Sequence, residues 1–334
     1  MQQAQKVVIT DCDHGSVEIE RVIANEAGYE LLLAQCSSEA DVIAAARGAS
    51  AILTQYAPVT ANVLAALPDL RAVGRYGVGV DTVDVEAATA NGVAVCNVPD
   101  YGTEDVSDHA IAHIVALLRG LPVLDKGMRR GISDLGPAQP LHRFSATTLG
   151  LYGLGLIGEA TARKARGLGL NVMGSDPRFR PGETTPDGTP VVSPDQLLAQ
   201  SDILSLHLPL IPQTKHILDD DAFARMKRGI KLVNTCRGGV VDTTALVRAL
   251  DSGIVSAAGL DVFEEEPLPL TSELLRFEQV LLTPHAAWYS EESFSELKRR
   301  AMQNILDVCA GREVRNTVNA LALAARAPKG AADV

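Results

Sequence analysis

Three polar clusters in the last third of the chain each follow a short apolar run, and their residue types suit proton transfer beside an anion clamp. Asn234-Thr235-Cys236-Arg237-Gly238-Gly239 follows IKLV, Asp261-Val262-Phe263-Glu264-Glu265-Glu266-Pro267 follows AAGL, and Thr283-Pro284-His285-Ala286-Ala287-Trp288 follows QVLL. Taken singly, each has a bland explanation: an arginine in a surface turn, a solvated run of acids, a structural histidine. At the ends of successive strands they supply a planar cation for a carboxylate or carbonyl, an acidic partner and a proton carrier. Those are the parts of a hydride transfer between a hydroxy acid and an oxo acid.

A hydride needs a carrier, and residues 149–177, LGLYGLGLIGEATARKARGLGLNVMGSDP, have the pattern that holds one. An apolar run ending at Tyr152 enters a glycine turn, an amphipathic segment follows, and a second apolar run ends at Asp176. Gly153 suits the tight turn, Gly155 lets a pyrophosphate approach the backbone, and Gly158 lets helix and strand pack closely. The helix start offers free N–H groups and a positive dipole end to phosphates. Asp176 can accept hydrogen bonds from a ribose diol, so NAD is expected over NADP, whose 2′-phosphate would meet a like charge. Arg178 is the one nearby feature set against that preference.

The elements that must position these groups follow from the rest of the chain. Its 334 residues, 46% hydrophobic and 21% charged, are enough for two globular domains. A net charge of −11 argues against direct nucleic-acid binding, and no apolar run approaches a membrane span or a signal peptide. Five scattered cysteines without a CxxC pair fit a reducing cytoplasm. Apolar runs KVVIT, YELLLAQ, SAILTQY, RAVGRY and VAVCNV alternate with helical spacing, which predicts a small parallel α/β domain ending near Pro99. TEDVSDHAIAHIVALLRGL reads as one long helix, with Thr103 able to cap it. From Thr147 to about Trp288, the two strands flanking the glycine turn are joined by DILSLHL, IKLVNTC, AAGLDVF and QVLLTP, six strands in all, the count of a doubly wound dinucleotide sheet.

After Ser290, SEESFSELKRRAMQNILDVCAGR reads as one helix stopping at Gly311 and returning to the first domain. The expected division is therefore residues 1–99 with 290–320 as a discontinuous substrate domain, 100–289 as the dinucleotide domain, and 321–334 as a tail. A cleft between the domains is expected to hold the ligands.

The motifs GLGLIG with Asp176, HLPLIPQT, NTCRGGVVD, LDVFEEEP and TPHAAWYS resemble the D-2-hydroxyacid dehydrogenase family in order and spacing, from Lys6 to Asn319. RYGVGVDTVDVEAATANGVAVCNVP and HAAWYSEES are most similar to its C-terminal binding protein branch, whose animal members are NAD-regulated transcriptional corepressors. The resemblance implies a Rossmann domain beside a smaller flavodoxin-like substrate domain, with NAD as cofactor and a homodimer formed through residues 103–121. It implies that Arg237 binds the substrate carboxylate and carbonyl oxygen, that His285 donates the proton in reduction, and that Glu266 pairs with His285. Glu264 and Glu265 do not match the catalytic position.

By the same resemblance, cofactor contacts fall on Tyr152, Gly153, Leu154, Gly155, Leu156, Ile157, Gly158, Asp176, Pro177, His207, Leu208, Pro209, Thr214, Thr235, Cys236, Arg237 and His285. Asp261 matches the nicotinamide-carboxamide contact, which makes His207 a wall residue rather than a second catalyst. Arg75, Gly77, Val78 and Gly79 fall in the substrate loop. Trp288, three residues past His285, is expected to wall the pocket and favour an apolar or thioether side chain on the oxo acid. Cys236 stands where alanine or serine is usual and is expected to be an inert thiol.

Two other readings accompany the dehydrogenase. One is a corepressor-like scaffold with slow turnover. The other is a D-3-phosphoglycerate dehydrogenase or a glyoxylate/hydroxypyruvate reductase. With Arg75 the only cation in the substrate loop and no regulatory domain expected after Asn319, the regulated phosphoglycerate enzymes are the poorer match.

Overall fold

A computed structural model describes residues 5–13 and 15–326. The chain divides into two compact units, one built from the stretch up to Gly102 together with that from Ser290, the other from Thr103–Tyr289.

In the first unit, strands β1 (Gln5–Ile9), β2 (Tyr29–Leu33), β3 (Ala49–Thr54), β4 (Ala72–Arg75) and β5 (Ala94–Cys96) alternate with helices α1 (Glu18–Glu26), α2 (Glu39–Ala46), α3 (Ala61–Ala66) and α4 (Val85–Ala90). All five expected strands form. They pair in parallel in the order β2-β1-β3-β4-β5, the flavodoxin-like arrangement. Helices on both faces bury the strands, which is why they read as continuous apolar runs: Val7, Val8, Ile9, Ile52 and Leu53 are fully buried. Ser38, Thr60 and Asp84 cap α2, α3 and α4 through their side chains.

The second unit opens with a departure from expectation. The expected helix forms as α5 (Thr103–Leu118), ending three residues short of Leu121 because Gly120 takes a left-handed conformation (φ 64°), and a second helix the sequence reading did not include, α6 (Leu121–Arg129), follows with Pro122 in its first turn. Thr103 opens α5 without capping it, since its buried hydroxyl has no hydrogen-bond partner among the described residues.

Next come β6 (Thr148–Tyr152), α7 (Leu156–Gly167), β7 (Asn171–Ser175), α8 (Pro194–Gln200), β8 (Ile203–Leu206), α9 (Asp220–Ala224), β9 (Ile230–Asn234), α10 (Thr243–Asp251), β10 (Val255–Leu260) and β11 (Val280–Leu282). The six strands are all parallel, in the order β11-β10-β9-β8-β6-β7. The count is as expected, but the place of a third strand beyond β7 is taken by one bridge, Gly174 to Val191. Gly174 N–H bonds Pro190 O and Val192 N–H bonds Gly174 O, yet Pro190 has no N–H with which to extend the ladder. One face of the sheet packs Leu149, Leu151 and Ile203 against Ile114 and Leu117 of α5 and Ala162 and Ala165 of α7. The other packs Leu204, Leu206 and Leu232 against Leu197, Phe223 and Leu246 of α8, α9 and α10. This is a doubly wound α/β unit.

The chain then re-enters the first unit. Helix α11 (Glu291–Cys309) starts at a capping box between Ser290 and Ser293 and stops before Gly311 (φ 67°), as its sequence predicts. It lies so close to β4 that a β-carbon on Gly74 would stand 2.6 Å from Ile305 Cγ2. Residues 320–326, expected to begin a tail, instead form a short helix, α12 (Ala320–Arg326), with Arg326 bonded to Ala90 O; the rest of that tail lies outside the described residues. Among the described residues no helix is long and apolar enough to cross a membrane, and all five cysteines are free.

Candidate active site

In a parallel sheet the ligand crevice opens beyond the carboxyl ends of the strands, where successive connections leave in opposite directions. In the second unit that point lies between β6 and β8. β6 runs into the glycine turn there. Gly153 (φ 97°) is pressed against the next strand's exit, where a β-carbon would meet His207 O at 2.3 Å; one on Gly158 would meet Gly153 O at 2.2 Å. Gly155 differs from both. A β-carbon there meets nothing within 4 Å, and its backbone is extended, so the protein itself does not require a glycine. What its missing side chain leaves open is the approach to the start of α7, where no side chain caps the N–H groups. The cradle fits a dinucleotide's pyrophosphate.

Asp176 stands just past β7. Its Oδ2 accepts from Leu154 N–H (2.8 Å), and Oδ1 from Arg178 N–H (2.9 Å). Arg178 folds back over it, with Nε 2.9 Å from Oδ1 and Nη2 3.0 Å from Oδ2, and also donates to Leu154 O (2.6 Å). Burial pushes this carboxyl up, but Arg178 and the backbone donors outweigh it and hold it below the ordinary range, so it is ionised. Pro177 follows it, exposed.

The wall beyond β8 is a pinned loop. Burial lowers His207 to about 4, leaving a neutral imidazole whose Nε2 lies 3.0 Å from Ser205 Oγ. That chemistry suits a wall and not a proton donor. Leu208 is buried, while Thr214 ties the loop by donating to Pro209 O (2.6 Å) and accepting from Ile211 N–H (2.9 Å). Past β9, Thr235 is buried and its hydroxyl has no hydrogen-bond partner among the described residues, an orphan that a bound ligand would satisfy. Cys236 donates its thiol to Asn234 Oδ1 (3.1 Å), and burial pushes its pKa up, in keeping with an inert thiol.

Arg237 follows in extended conformation, its Nη1 on Cys236 O (2.7 Å). The turn behind it lies flat on the loop that leaves β10: a β-carbon on Gly238 would sit 1.9 Å from the Phe263 carbonyl carbon. The arginine loop and the acid loop are therefore in contact. Glu266 Oε2 is 2.7 Å from His285 Nδ1, and Oε1 accepts from Phe263 N–H (2.9 Å). Burial raises the Glu266 carboxyl, but the bonds from His285 and Phe263, with Arg237 nearby, hold it below its usual range. Both side chains keep over a third of their surface open, 39% for His285 and 36% for Glu266, so the imidazole can be reached from outside.

Asp261 organises the turn that carries His285. It is fully buried, its Oδ1 accepting from Thr283 Oγ1 (2.6 Å) and Ala286 N–H (2.9 Å), its Oδ2 from Ala287 N–H (2.9 Å). His285 N–H bonds Asp261 O (2.8 Å). Trp288, three residues on, is half-buried and meets Tyr289 edge-on, with centroids 5.6 Å apart; it is not a core residue. In the first unit, Arg75 ends β4, and Gly77 (φ 119°) turns so tightly that a β-carbon would fall 2.0 Å from Arg75 Nη1. Val78 is exposed and its carbonyl accepts from Asn97 Nδ2 (2.7 Å); Gly79 completes the turn.

Two groups of residues escape the sequence reading. His109 and His113 of α5 stack at 4.6 Å beneath the His285 turn, His109 Nε2 3.0 Å from Thr283 Oγ1. Burial, with His109 beside it, lowers His113 to about 4. Their i, i+4 spacing on one helix face was the available signal. The second group involves Glu264: far from being a solvated acid, it bonds His216 Nε2 (2.5 Å) and accepts from Thr243 N–H (2.8 Å). No signal in the sequence joins those residues.

Residues 111–287 match the family described as D-isomer specific 2-hydroxyacid dehydrogenase, NAD binding domain. A glyoxylate reductase of Korarchaeum cryptofilum is 39% identical over 274 residues, 81% of this chain and 82% of that protein. A D-3-phosphoglycerate dehydrogenase of Mycobacterium tuberculosis is 38% identical over 279 residues, 83% of this chain and 52% of that protein, so the chain spans about half the length of this relative. Among solved structures, a glyoxylate reductase from Paecilomyes thermophila superposes with a TM-score of 0.83 at 30% identity, covering 95% of this chain and 99% of that one. A D-2-hydroxyisocaproate dehydrogenase gives 0.80 at 27% identity, covering 94% and 99%. The relatives named here are reductases and dehydrogenases. They lend the corepressor reading no support, and placement in the C-terminal binding protein branch is not confirmed.

Proposed function

From the premise that the chain belongs to the D-isomer specific 2-hydroxyacid dehydrogenase family and uses a nicotinamide dinucleotide, we propose that it reduces a small 2-oxo acid to the D-2-hydroxy acid, with His285 as proton donor. The observation that carries the assignment is the 2.7 Å bond between Glu266 and His285 Nδ1, on a loop packed against the one that carries Arg237. With Nδ1 committed to the carboxylate, the proton delivered to the carbonyl oxygen is the one on Nε2. Arg237 holds the substrate carboxylate and stabilises the charge that develops on the carbonyl oxygen. The dinucleotide supplies the hydride when bound. Gly155, the open start of α7, Asp176 and Thr235 are the residues that would hold it.

Asp176, ionised at the end of β7, favours NAD. Arg75, Gly77, Val78 and Gly79 are proposed as the substrate loop of the first unit, and Trp288 as a pocket wall. The proposed substrates are small 2-oxo acids such as glyoxylate, a reading supported by the likeness to a glyoxylate reductase of which 82% is covered. A homodimer is proposed through residues 103–121, at whose end Leu121 is half exposed. The free cysteines suit a cytoplasmic setting.

The test is steady-state oxidation of NADH with a panel of 2-oxo acids, comparing the wild type with His285→Gln and Arg237→Ala. Turnover that survives His285→Gln would remove the proton role.

A further inference from the structure

Among the described residues, two that are not glycine have left-handed backbone, His216 (φ 51°) and His285 (φ 52°). A side chain in that region presses its β-carbon on the neighbouring carbonyl, so such residues persist where their surroundings hold them. Both histidines are held by the same tripeptide. His285 Nδ1 meets Glu266 Oε2, and His216 Nε2 meets Glu264 Oε1 at 2.5 Å. A second Glu–His pair stands one residue removed from the first.

The second pair joins three loops. His216 lies in the connection after β8, just past Thr214, and its N–H bonds Gly239 O (2.9 Å), in the turn behind Arg237. Glu264 leaves β10 and spends its other oxygen on Thr243 N–H (2.8 Å), at the start of α10. Burial pushes the Glu264 carboxyl up, but the bonds from Thr243 and His216 outweigh that and hold it below its usual range. The neighbouring Phe263 N–H is the donor that fixes Glu266 Oε1. Anchoring Glu264 therefore fixes the peptide that aims Glu266 at His285. The other charged groups on these connections are Lys215, Asp219, Arg237, Asp242, Asp261, Glu265, Glu273, Arg276 and Glu278.

We infer that Glu264 and His216 are positioning residues: they hold the loop after β10 so that Glu266 stays bonded to His285 Nδ1. This rests on the reading of His285 as the proton donor. Freed of its anchor, the loop lets the Glu266–His285 bond loosen, and the imidazole loses the carboxylate that orients it.

The experiment compares Glu264→Ala, Glu264→Gln, His216→Ala, the double alanine variant and Glu266→Gln. It measures kcat for 2-oxo acid reduction, together with NADH affinity and thermal unfolding. Glu264→Ala and His216→Ala should each lower kcat by roughly 10- to 100-fold. Each should do so at near-wild-type NADH affinity, the split expected when the proton donor is misaligned and cofactor binding is not. The double variant should do no more than the worse single one, since the two side chains act as a unit. Glu264→Gln still accepts from Thr243 N–H and should recover most of the rate.

A kcat that stays at the wild-type value in both Glu264→Ala and His216→Ala, while Glu266→Gln lowers it, overturns the inference and leaves the proton reading intact. If Glu266→Gln also leaves kcat unchanged, the proton reading itself fails. Should Glu264→Ala not fold, His216→Ala decides, because His216 is partly exposed and its loss leaves Glu264 bonded to Thr243.

Discussion

The two sheets share the order 2-1-3-4-5 through their first five strands, and each has a crevice where its connections diverge, between β1 and β3 in one and β6 and β8 in the other. They treat it in opposite ways. In the first unit Asp11, only 7% exposed, fills the crevice: Oδ1 accepts from Thr10 Oγ1 (2.9 Å), Thr54 Oγ1 (3.0 Å) and Gln55 N–H (3.1 Å), and Oδ2 from Tyr56 N–H (2.6 Å). In the second unit the backbone donors at the start of α7 carry no side-chain cap and face the gap left by Gly155. The strand ends of both sheets attract an anion. One satisfies that need with its own carboxylate and is finished; the other leaves it for a ligand's phosphates.

The largest effect expected from this contrast is chemical. His285→Gln, on the open side, should lower kcat for NADH-dependent reduction by roughly 100- to 10,000-fold. Melting should stay near wild type, because the side chain is 39% exposed. A kcat near the wild-type value in this variant would break the assignment.

Asp11→Ala should do the reverse, unfolding the protein more easily without touching the chemistry. Removing one buried carboxylate takes the acceptor from two backbone N–H groups, while the Thr54 and Thr10 hydroxyls keep Ala57 O and Leu53 O, which costs roughly 2–4 kcal/mol. Denaturant titration measures it. A variant as stable as the wild type would mean that the first crevice is not a closed structural feature.

Most of this contrast was legible in the sequence, for a physical reason. Strands buried on both faces must be continuous apolar runs, and a glycine turn must place Gly153 and Gly158 where backbone meets backbone, so all eleven strands and the cofactor cradle announce themselves. What stayed hidden depends on contacts between distant residues. Helix α6, past the left-handed Gly120, and the single bridge from Gly174 to Val191 were not foreseen. The pairing of Glu264 with His216 crosses 48 positions and two connections, and from the sequence alone Glu264 was one of three interchangeable acids.

Gly155→Val sharpens the contrast from the open side. The extended backbone accepts valine and the added carbon meets no protein atom, so stability should hold. The side chain would instead occupy the approach to α7 and weaken NADH binding by roughly 10- to 100-fold, or about 1.4–2.8 kcal/mol. Unchanged affinity by titration would place the dinucleotide elsewhere.

The smallest effect concerns Arg178, which makes the open crevice resemble the closed one in a single respect: it covers Asp176, the carboxylate that chooses the cofactor. Asp176 is 9% exposed and Arg178 57%, so the acid sits in the wall while its partner lies in solvent. Two opposed forces act on a 2′-phosphate placed there. Asp176 repels it; Arg178 attracts it and offsets part of that repulsion. Removing the arginine leaves the acid uncompensated, so Arg178→Ala should shift the ratio of kcat/KM for NADH over NADPH further toward NADH. Solvent screening limits the change to roughly 0.2–1 kcal/mol, or about 1.5- to 5-fold. Asp176→Ala should move the ratio the other way and by more, since it removes both the repulsion and the ribose acceptor. If Arg178→Ala instead improves NADPH use, the guanidinium is acting as a steric cover over the ribose site and not as a counter-charge.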